Sequence, residues 1–467
     1  MPLLMSVLST LKFSQPFRKF LNELLMLLLI VPGRATFRNL SRYSEYDEKT
    51  FSRWYRREVD WAGVNVAAIR AVVPVAHESV LAFDPSYLAK SGTRTEGVGY
   101  FWNGCAGRAE RGLEAQVLSW VDVTANTAYE ISAALTPPKV TAETPATAET
   151  PTTAETPTTA ETPTTAETPT TAETPTTAEV VGRRPPPKTK IQAKAKAKAK
   201  AKPKCQKMPD EPSRIDAYLD HLNRVITGCQ LALLLRYLVA DGFFSKVKFV
   251  DGILALHLQL ISKLRADADA RYLYTGPYAG RGAPRRYAGK VDWNALDPAV
   301  FIPVASPEPT LTLHTAIVAL PHLKRQVRVV VVTETRTRRR AILFSTDVNL
   351  DPLTLYRYYK ARFQIEFLFR DSKQYAGLTH CQARSTTAIT FHVNASLTAV
   401  SLSKLQAVQA PGELPTPFSM ASLVRRAFNA HFLKKIIAYL AHGQTLTENS
   451  PEYETLCNYG IIHPIPT

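Results

Sequence analysis

The run YKARFQIEFLFRDSK, residues 359–373, places Tyr359, Arg362, Glu366 and Lys373 at successive spacings of 3, 4 and 7 residues. On a helix turning about 100° per residue they fall within roughly 60° of one another, and Arg370 lies about 20° to the other side of Tyr359. One carboxylate therefore stands among three cations and a phenol. Phe363, Ile365, Phe367, Leu368 and Phe369 cover the remaining circumference and predict burial on most sides. A solvated ladder of Arg362, Glu366 and Arg370 at i, i+4 spacing would carry the same charges. On a mostly buried helix, however, a charged stripe needs a partner, and phosphate oxygens with a metal ion would satisfy both signs.

Upstream, the chain reads as strands that end in acids. SVLAFD (79–84), AQVLSWVDV (115–123) and TAYEISAAL (127–135) are short β-like runs separated by Gly-rich turns, the first closing on Asp84. A helix over about 213–226 leads into LLLRYLVA (233–240), an apolar run typical of a strand buried on both faces, which stops at Asp241-Gly242. Pro- and Gly-rich turns then frame three further runs, Leu311–Leu320, Arg325–Thr333 and Ala341–Ser345, which suggest a separate β-rich insertion. Helical periodicity returns at about 352–376 and at 419–442.

The middle of the chain breaks composition abruptly. From Thr141 to residue 176 a T-A-E-T-P-x hexapeptide repeats six times, and five Ala-Lys pairs occupy 193–202. Proline in every hexamer blocks helix and the rest buries little, so 139–207 is expected to be a disordered linker. The whole chain carries a net charge of +17, of which this segment supplies +5, so the remainder is basic in its own right and points to a polyanionic partner. Near the N-terminus, TFRNLSRYSEYDEKTFSRWYRR (36–57) reads as two short helices capped by Thr36 and Asp47. This helix-turn-helix pattern offers Lys49, Arg53 and Arg56, with Arg57, to DNA.

Cys105, Cys205, Cys229, Cys381 and Cys457 show neither metal-ligand spacing nor a disulfide framework, which fits a reducing cytoplasm. The apolar run Leu24–Val31 is far shorter than the roughly 20 residues that cross a bilayer, and Pro32-Gly33-Arg34 offers no cleavage site, so no membrane association is expected.

The spacing Y-x2-R-x3-E-x6-K resembles the signature of bacterial insertion-sequence transposases of the IS-four family, which are DDE enzymes. The likeness extends to VLAFDPSYLAKSG around Asp84, LVADGFFSKVKFVDG around Asp241 and LHLQLISKLRADADARYLY, and so covers most of 76–138 and 213–400. It implies an α/β fold, an RNase H-like core interrupted by a β-rich insertion. It also implies that Asp84, Asp241 and Glu366 are the catalytic acids and hold two divalent ions, Mg²⁺ or Mn²⁺. Tyr359, Arg362 and Lys373 would contact the transposon end, with Arg370 as a further DNA-binding residue from the helix pattern. Two departures stand out: Pro85-Ser86 follows Asp84 where the family more often has a polar residue and then Thr, and the long repeat replaces a shorter connection.

Two Mg²⁺ ions held by hard oxygen ligands suit in-line displacement at a phosphodiester, because they activate the attacking oxygen and neutralise the leaving one. Asp122, Asp251, Asp267 and Asp269 are read as surface or capping acids. His257, His314 and His392 lie on apolar stretches and read as core histidines. Trp293 could stack on an extruded base, although packing is the simpler reading. The expected organisation is a helical DNA-binding region over 1–75 and core segments over 76–138, 208–270 and 347–415. The insertion would span 271–346 and a helical C-terminal region 416–467. The expected protein is a cytoplasmic, nucleoid-associated transposase that acts on double-stranded DNA, as a homodimer in the DNA complex, with no small-molecule substrate. The other reading is a catalytically silent DNA-binding derivative of a decayed element.

Overall fold

Residues 2–138, 213–278, 280–409, 419–441, 446–448 and 450–460 are described by the computed structural model of the chain. The hexapeptide repeat and the Ala-Lys tract, and with them the expected linker 139–207, lie outside the described residues. The chain opens with helices α1 (Pro2–Thr10), α2 (Gln15–Ile30), α3 (Phe37–Arg42), α4 (Glu48–Trp54) and α5 (Trp61–Val72). Thr36 and Asp47 cap α3 and α4 as their sequence suggests, accepting from the amides of Asn39 at 3.3 Å and Thr50 at 2.7 Å. The leucines of the 24–31 run are buried core positions of α2, not a membrane segment. Among the described residues no helix is long and apolar enough to cross a membrane.

Four strands follow: β1 (Ser79–Ala89), β2 (Gly99–Asn103), β3 (Arg108–Asp122) and β4 (Thr127–Leu135). The sequence pattern missed β2, and β1 and β3 are longer than the apolar runs that announced them. After helix α6 (Arg214–Gly228) come β5 (Tyr237–Ala240), α7 (Val247–Ala255) and β6 (Gln259–Leu264). The expected strand 233–240 is thus halved. Gln230 adopts a left-handed backbone and Leu231–Leu233 form a 3-10 turn, which leaves Leu233 and Leu234 exposed before pairing begins. Both neighbours of β5 are parallel to it, Leu81–Phe83 on one side and Gln259–Ile261 on the other.

Strands β7 (Arg271–Leu273), β8 (Tyr287–Lys290), β9 (Ile302–Val304), β10 (Leu311–Leu320), β11 (Arg325–Glu334) and β12 (Arg340–Ser345) make up the region expected as a separate insertion. It is not separate. Ile342–Ser345 of β12 pair antiparallel with Leu264–Ile261 of β6, so one sheet runs β2-β3-β1-β5-β6-β12-β11-β10-β7-β8, with β4 on β3 and β9 on β10. Valines 327, 329, 330 and 331 of β11 are fully buried within this continuous sheet.

Helices α8 (Pro352–Ala361), α9 (Gln364–Tyr375), α10 (Thr386–Gln409), α11 (Met420–Leu440) and α12 (Pro451–Cys457) complete the described chain. Among the described residues outer strand β4 pairs only with β3, and α5 and α10 cover its other edge. The Asn394 amide donates to the Ala133 carbonyl at 2.8 Å and accepts from its N–H at 2.9 Å, copying a strand partner. Ser401 Oγ accepts from the Glu130 N–H at 2.8 Å, and Asn65 donates to the Ile131 carbonyl at 3.2 Å. Side chains thereby satisfy backbone groups that would otherwise be buried without partners. Helix α2 packs on α10 and α11, so the N-terminal helices share one core with the C-terminal ones.

Candidate active site

Successive strand residues point to opposite faces, and β1 uses this to separate core from chemistry. Phe83 faces α6 and α7, its ring 5.6 Å from Tyr218 and 6.3 Å from Phe249. Asp84 and Ser86 therefore face the other way, toward α9. The strand does not end at Asp84 as its sequence suggested, since β1 continues to Ala89 against β3. What ends there is the parallel pairing. Phe83 is the last β1 residue opposite β5, its partner is Ala240, and Asp84 and Asp241 each follow by one position. Adjacent parallel strands thus deliver two acids side by side.

Asp241 opens a 3-10 turn, Gly242–Phe244, and its carboxylate accepts the Phe243 N–H at 2.9 Å. Gly242 sits in a close approach, where a Cβ would lie 3.0 Å from the Lys263 carbonyl oxygen. Ser262 Oγ donates to the Asp241 carbonyl at 2.7 Å and ties the turn to β6.

The helix expected through 359–373 is broken. Between α8 and α9, Arg362, Phe363, Ile365 and Glu366 bond their N–H groups to carbonyls three residues back, a tightened turn containing neither Pro nor Gly. Arg362 sits at this break and reaches both sides of it, lying 3.6 Å from Asp84 Oδ1 and 3.2 Å from Glu366 Oε1. Asp84, Tyr359, Glu366 and Asp241 all act on its charge and together hold its pKa above the ordinary arginine value against the opposing effect of burial. Lys373 approaches from the next turns of α9 and donates to Ser86 Oγ at 3.3 Å.

Arg370 is not part of this group. It lies roughly 40° round α9 from Glu366, on the side away from Lys373, where it stacks on Phe367 and pairs with Asp371 at 3.0 Å. Lys49, Arg53 and Arg56 are exposed on and just after α4, whose inner side buries Phe51 and Tyr55 against the helical layer.

Charge is poorly compensated at the centre. Burial, helped by Asp241, Glu366 and Glu114 and opposed by Arg362, lifts the Asp84 carboxyl from 3.8 to about 7. Burial also raises Asp241, against the Phe243 N–H, Arg362 and Lys246. Among the described residues Arg362 Nε, which is buried, has no hydrogen-bond partner. Three carboxylates share one guanidinium, and their hard oxygens are the donor type that divalent Mg²⁺ or Mn²⁺ takes. Asp84 and Glu366 turn toward Arg362 and Asp241 toward the Phe243 N–H, and among the described residues no group of three or more His, Cys, Asp or Glu is close enough to hold a metal ion. The donor type suits such ions, while the cation placed between Asp84 and Glu366 in this structure is the Arg362 guanidinium.

The other acids have local duties. Asp122 pairs with His77 at 2.7 Å and accepts from the Ala125 N–H at 2.8 Å, Asp251 pairs with Arg325, and Asp267 and Asp269 pair with Arg265 and Arg271. Trp293 is buried, its indole donating to the Ala268 carbonyl at 2.8 Å, so it packs rather than stands free. His392 is a core residue bonded to the Gly377 carbonyl at 2.8 Å, whereas His257 is exposed in a left-handed turn, contrary to expectation. The sequence reading overlooked Ser86, the partner of Lys373, and Phe243 with Lys246. Phe243 is exposed one residue beyond Gly242, with Lys246 Nζ 3.4 Å from its ring centre. The paired phenylalanines after Asp241-Gly242 were the available signal.

A family model described as DDE superfamily endonuclease matches residues 12–326, about two thirds of the chain. The matched range includes Asp84 and Asp241 and stops short of Glu366. No curated protein matches the chain.

Proposed function

The chain belongs to the DDE superfamily of endonucleases, and from that premise we propose that it is a transposase. In this reading it binds the terminal inverted repeats of its element, cleaves DNA and joins the freed 3′-OH to a target, in the manner of the IS-four family. DNA is the partner that the superfamily implies. The observation that carries the proposal is the juxtaposition of Asp84 and Asp241, each one residue beyond the paired Phe83 and Ala240, with Glu366 joined to Asp84 through Arg362. The strand order β4-β3-β1-β5-β6, antiparallel in its first half and parallel from β1 to β6, supports an RNase H-like core.

Asp84, Asp241 and Glu366 would hold the metal. When bound, two divalent ions supply an activated oxygen nucleophile and a neutralised leaving oxygen. The remaining work belongs to side chains of α8 and α9. Arg362 carries an unpartnered Nε and two amino groups already drawn toward carboxylates, a fork suited to the non-bridging oxygens of a phosphodiester. Tyr359 stays protonated, because burial pushes its phenol above the usual value, and so remains a hydrogen-bond donor at neutral pH. Lys373, held over Ser86, adds a second positive charge farther along the same face.

The test is cleavage of DNA carrying the terminal repeats. Asp84→Asn, Asp241→Asn and Glu366→Gln each keep side-chain shape and remove a ligand charge. Each should abolish Mg²⁺-dependent cleavage while leaving DNA binding intact. Wild-type cleavage by any one of the three removes that residue from the site. An intact chain that binds the repeats and never cuts them is the silent derivative instead.

A further inference from the structure

Beyond the end of β1 the surface opens into a cleft of about 730 Å³, lined by Arg34, Lys90, Arg94, Thr95, His380 and Arg384 among others. Its cations come from three distant parts of the chain: the loop before α3, the loop after β1 and the loop between α9 and α10. Arg34, Arg94 and Arg384 are exposed, and among the described residues none of them is paired with a carboxylate. Glu96, next to Thr95, is occupied elsewhere, accepting from the Thr386 amide at 2.8 Å and its hydroxyl at 3.2 Å. Lys90 is anchored by donating to the Cys381 carbonyl, which fastens the loop after β1 to the one after α9. Three unneutralised guanidiniums in an open polar groove call for a polyanion.

The groove continues the line of the acids. Asp84, Ser86 with Lys373, and Lys90 follow one another along β1 and its end. At about 3.3 Å per residue, Lys90 lies roughly 20 Å from Asp84. Phosphates of one strand in duplex DNA advance about 3.4 Å along the axis, so for a duplex whose axis lies along β1 this span corresponds to about six nucleotides.

We propose that this cleft holds the sugar-phosphate backbone of the DNA about six nucleotides from the phosphodiester on which Asp84, Asp241 and Glu366 act. The assignment rests on the transposase reading above. It separates two tasks: the acids would hold the metal ions and Arg362 the reacting phosphate, and the cleft fixes how the duplex lies across them. Phosphate contacts of this kind position DNA without reading its sequence.

The full-length chain with both Arg94→Ala and Arg384→Ala tests this, and Arg34→Ala tests it independently from another loop. All three side chains are exposed, so melting should be unchanged. Binding to terminal-repeat duplex should lose about 0.9 in the slope of log K against log salt for each lost contact, so the double variant responds about tenfold less to a change from about 50 to about 200 mM salt. Ethylation of single phosphates, read as interference with binding, should mark a cluster about six nucleotides from the cleavage point in wild type and lose that cluster in the variants. An unchanged slope, or an interference pattern altered only at the cleavage point, in a chain that still binds and cuts DNA overturns the cleft and leaves the transposase reading standing. A wild-type chain that neither binds nor cuts overturns both.

Discussion

Replacing Asp84 by Asn should make the metal-free protein more stable, and increasingly so as the pH rises. The Asp84 side chain is only 19% exposed, and its carboxyl is lifted from 3.8 to about 7, chiefly by burial. In the native state it therefore keeps a proton that the unfolded chain releases at lower pH. Stability from this group is complete below the unfolded value, about 4, and declines as the pH rises through about 7. At about 1.36 kcal/mol per pKa unit, the loss on going from pH 4 to pH 8 approaches about 4 kcal/mol, and water reaching a partly open site brings the expected figure to about 2 kcal/mol. Asn imitates the protonated carboxyl and has no proton to lose. The variant should match wild type within about 0.5 kcal/mol at pH 4 and exceed it by about 2 kcal/mol or more at pH 8. Denaturant unfolding in EDTA, repeated at several pH values, measures the gap. An Asn variant equally stable with wild type at both ends of the range, or less stable at pH 8, would refute the claim that this site stores unfavourable charge.

Two further outcomes follow from the geometry. Lys373→Ala should lower the salt slope of DNA binding by about 0.9. Arg362→Ala should lower it less, because Asp84 and Glu366 already neutralise that guanidinium; equal slopes for the two variants would contradict this division. Asn394→Ala should cost about 2–4 kcal/mol in denaturant unfolding, since it strands both the N–H and the carbonyl of Ala133 on the covered edge of β4. A loss below about 0.5 kcal/mol would show that water reaches that edge.

Much of the site could be read from local spacing. The intervals between Tyr359, Arg362, Glu366 and Lys373, the acids that follow β-like runs at Asp84 and Asp241, and the caps at Thr36 and Asp47 are all short-range patterns, and short-range patterns survive in one dimension. Even there the helix through 359–373 was too regular a reading. The tightened turn at Arg362 has no Pro or Gly to announce it, and it is accompanied by contacts with Asp84 and Glu366 that no helical wheel contains. Arg370 shows the same limit, since an angle of roughly 40° on the helix decides whether a cation meets an acid cluster or a separate partner.

What tertiary structure decided was pairing. Nothing local in β12 says that it should lie against β6, because Ile342, Leu343 and Phe344 would be buried equally well in a separate domain. Helix α10 was invisible for the opposite reason: it is buried around nearly its whole circumference, with small polar residues such as Asn394, Thr398 and Ser401 facing β4, so it shows no apolar stripe. The sequence by itself thus determined which side chains could do the chemistry. The fold decided which of them meet, because burial depends on long-range partners, and partners are set by how strands and helices pack rather than by the order in which they occur.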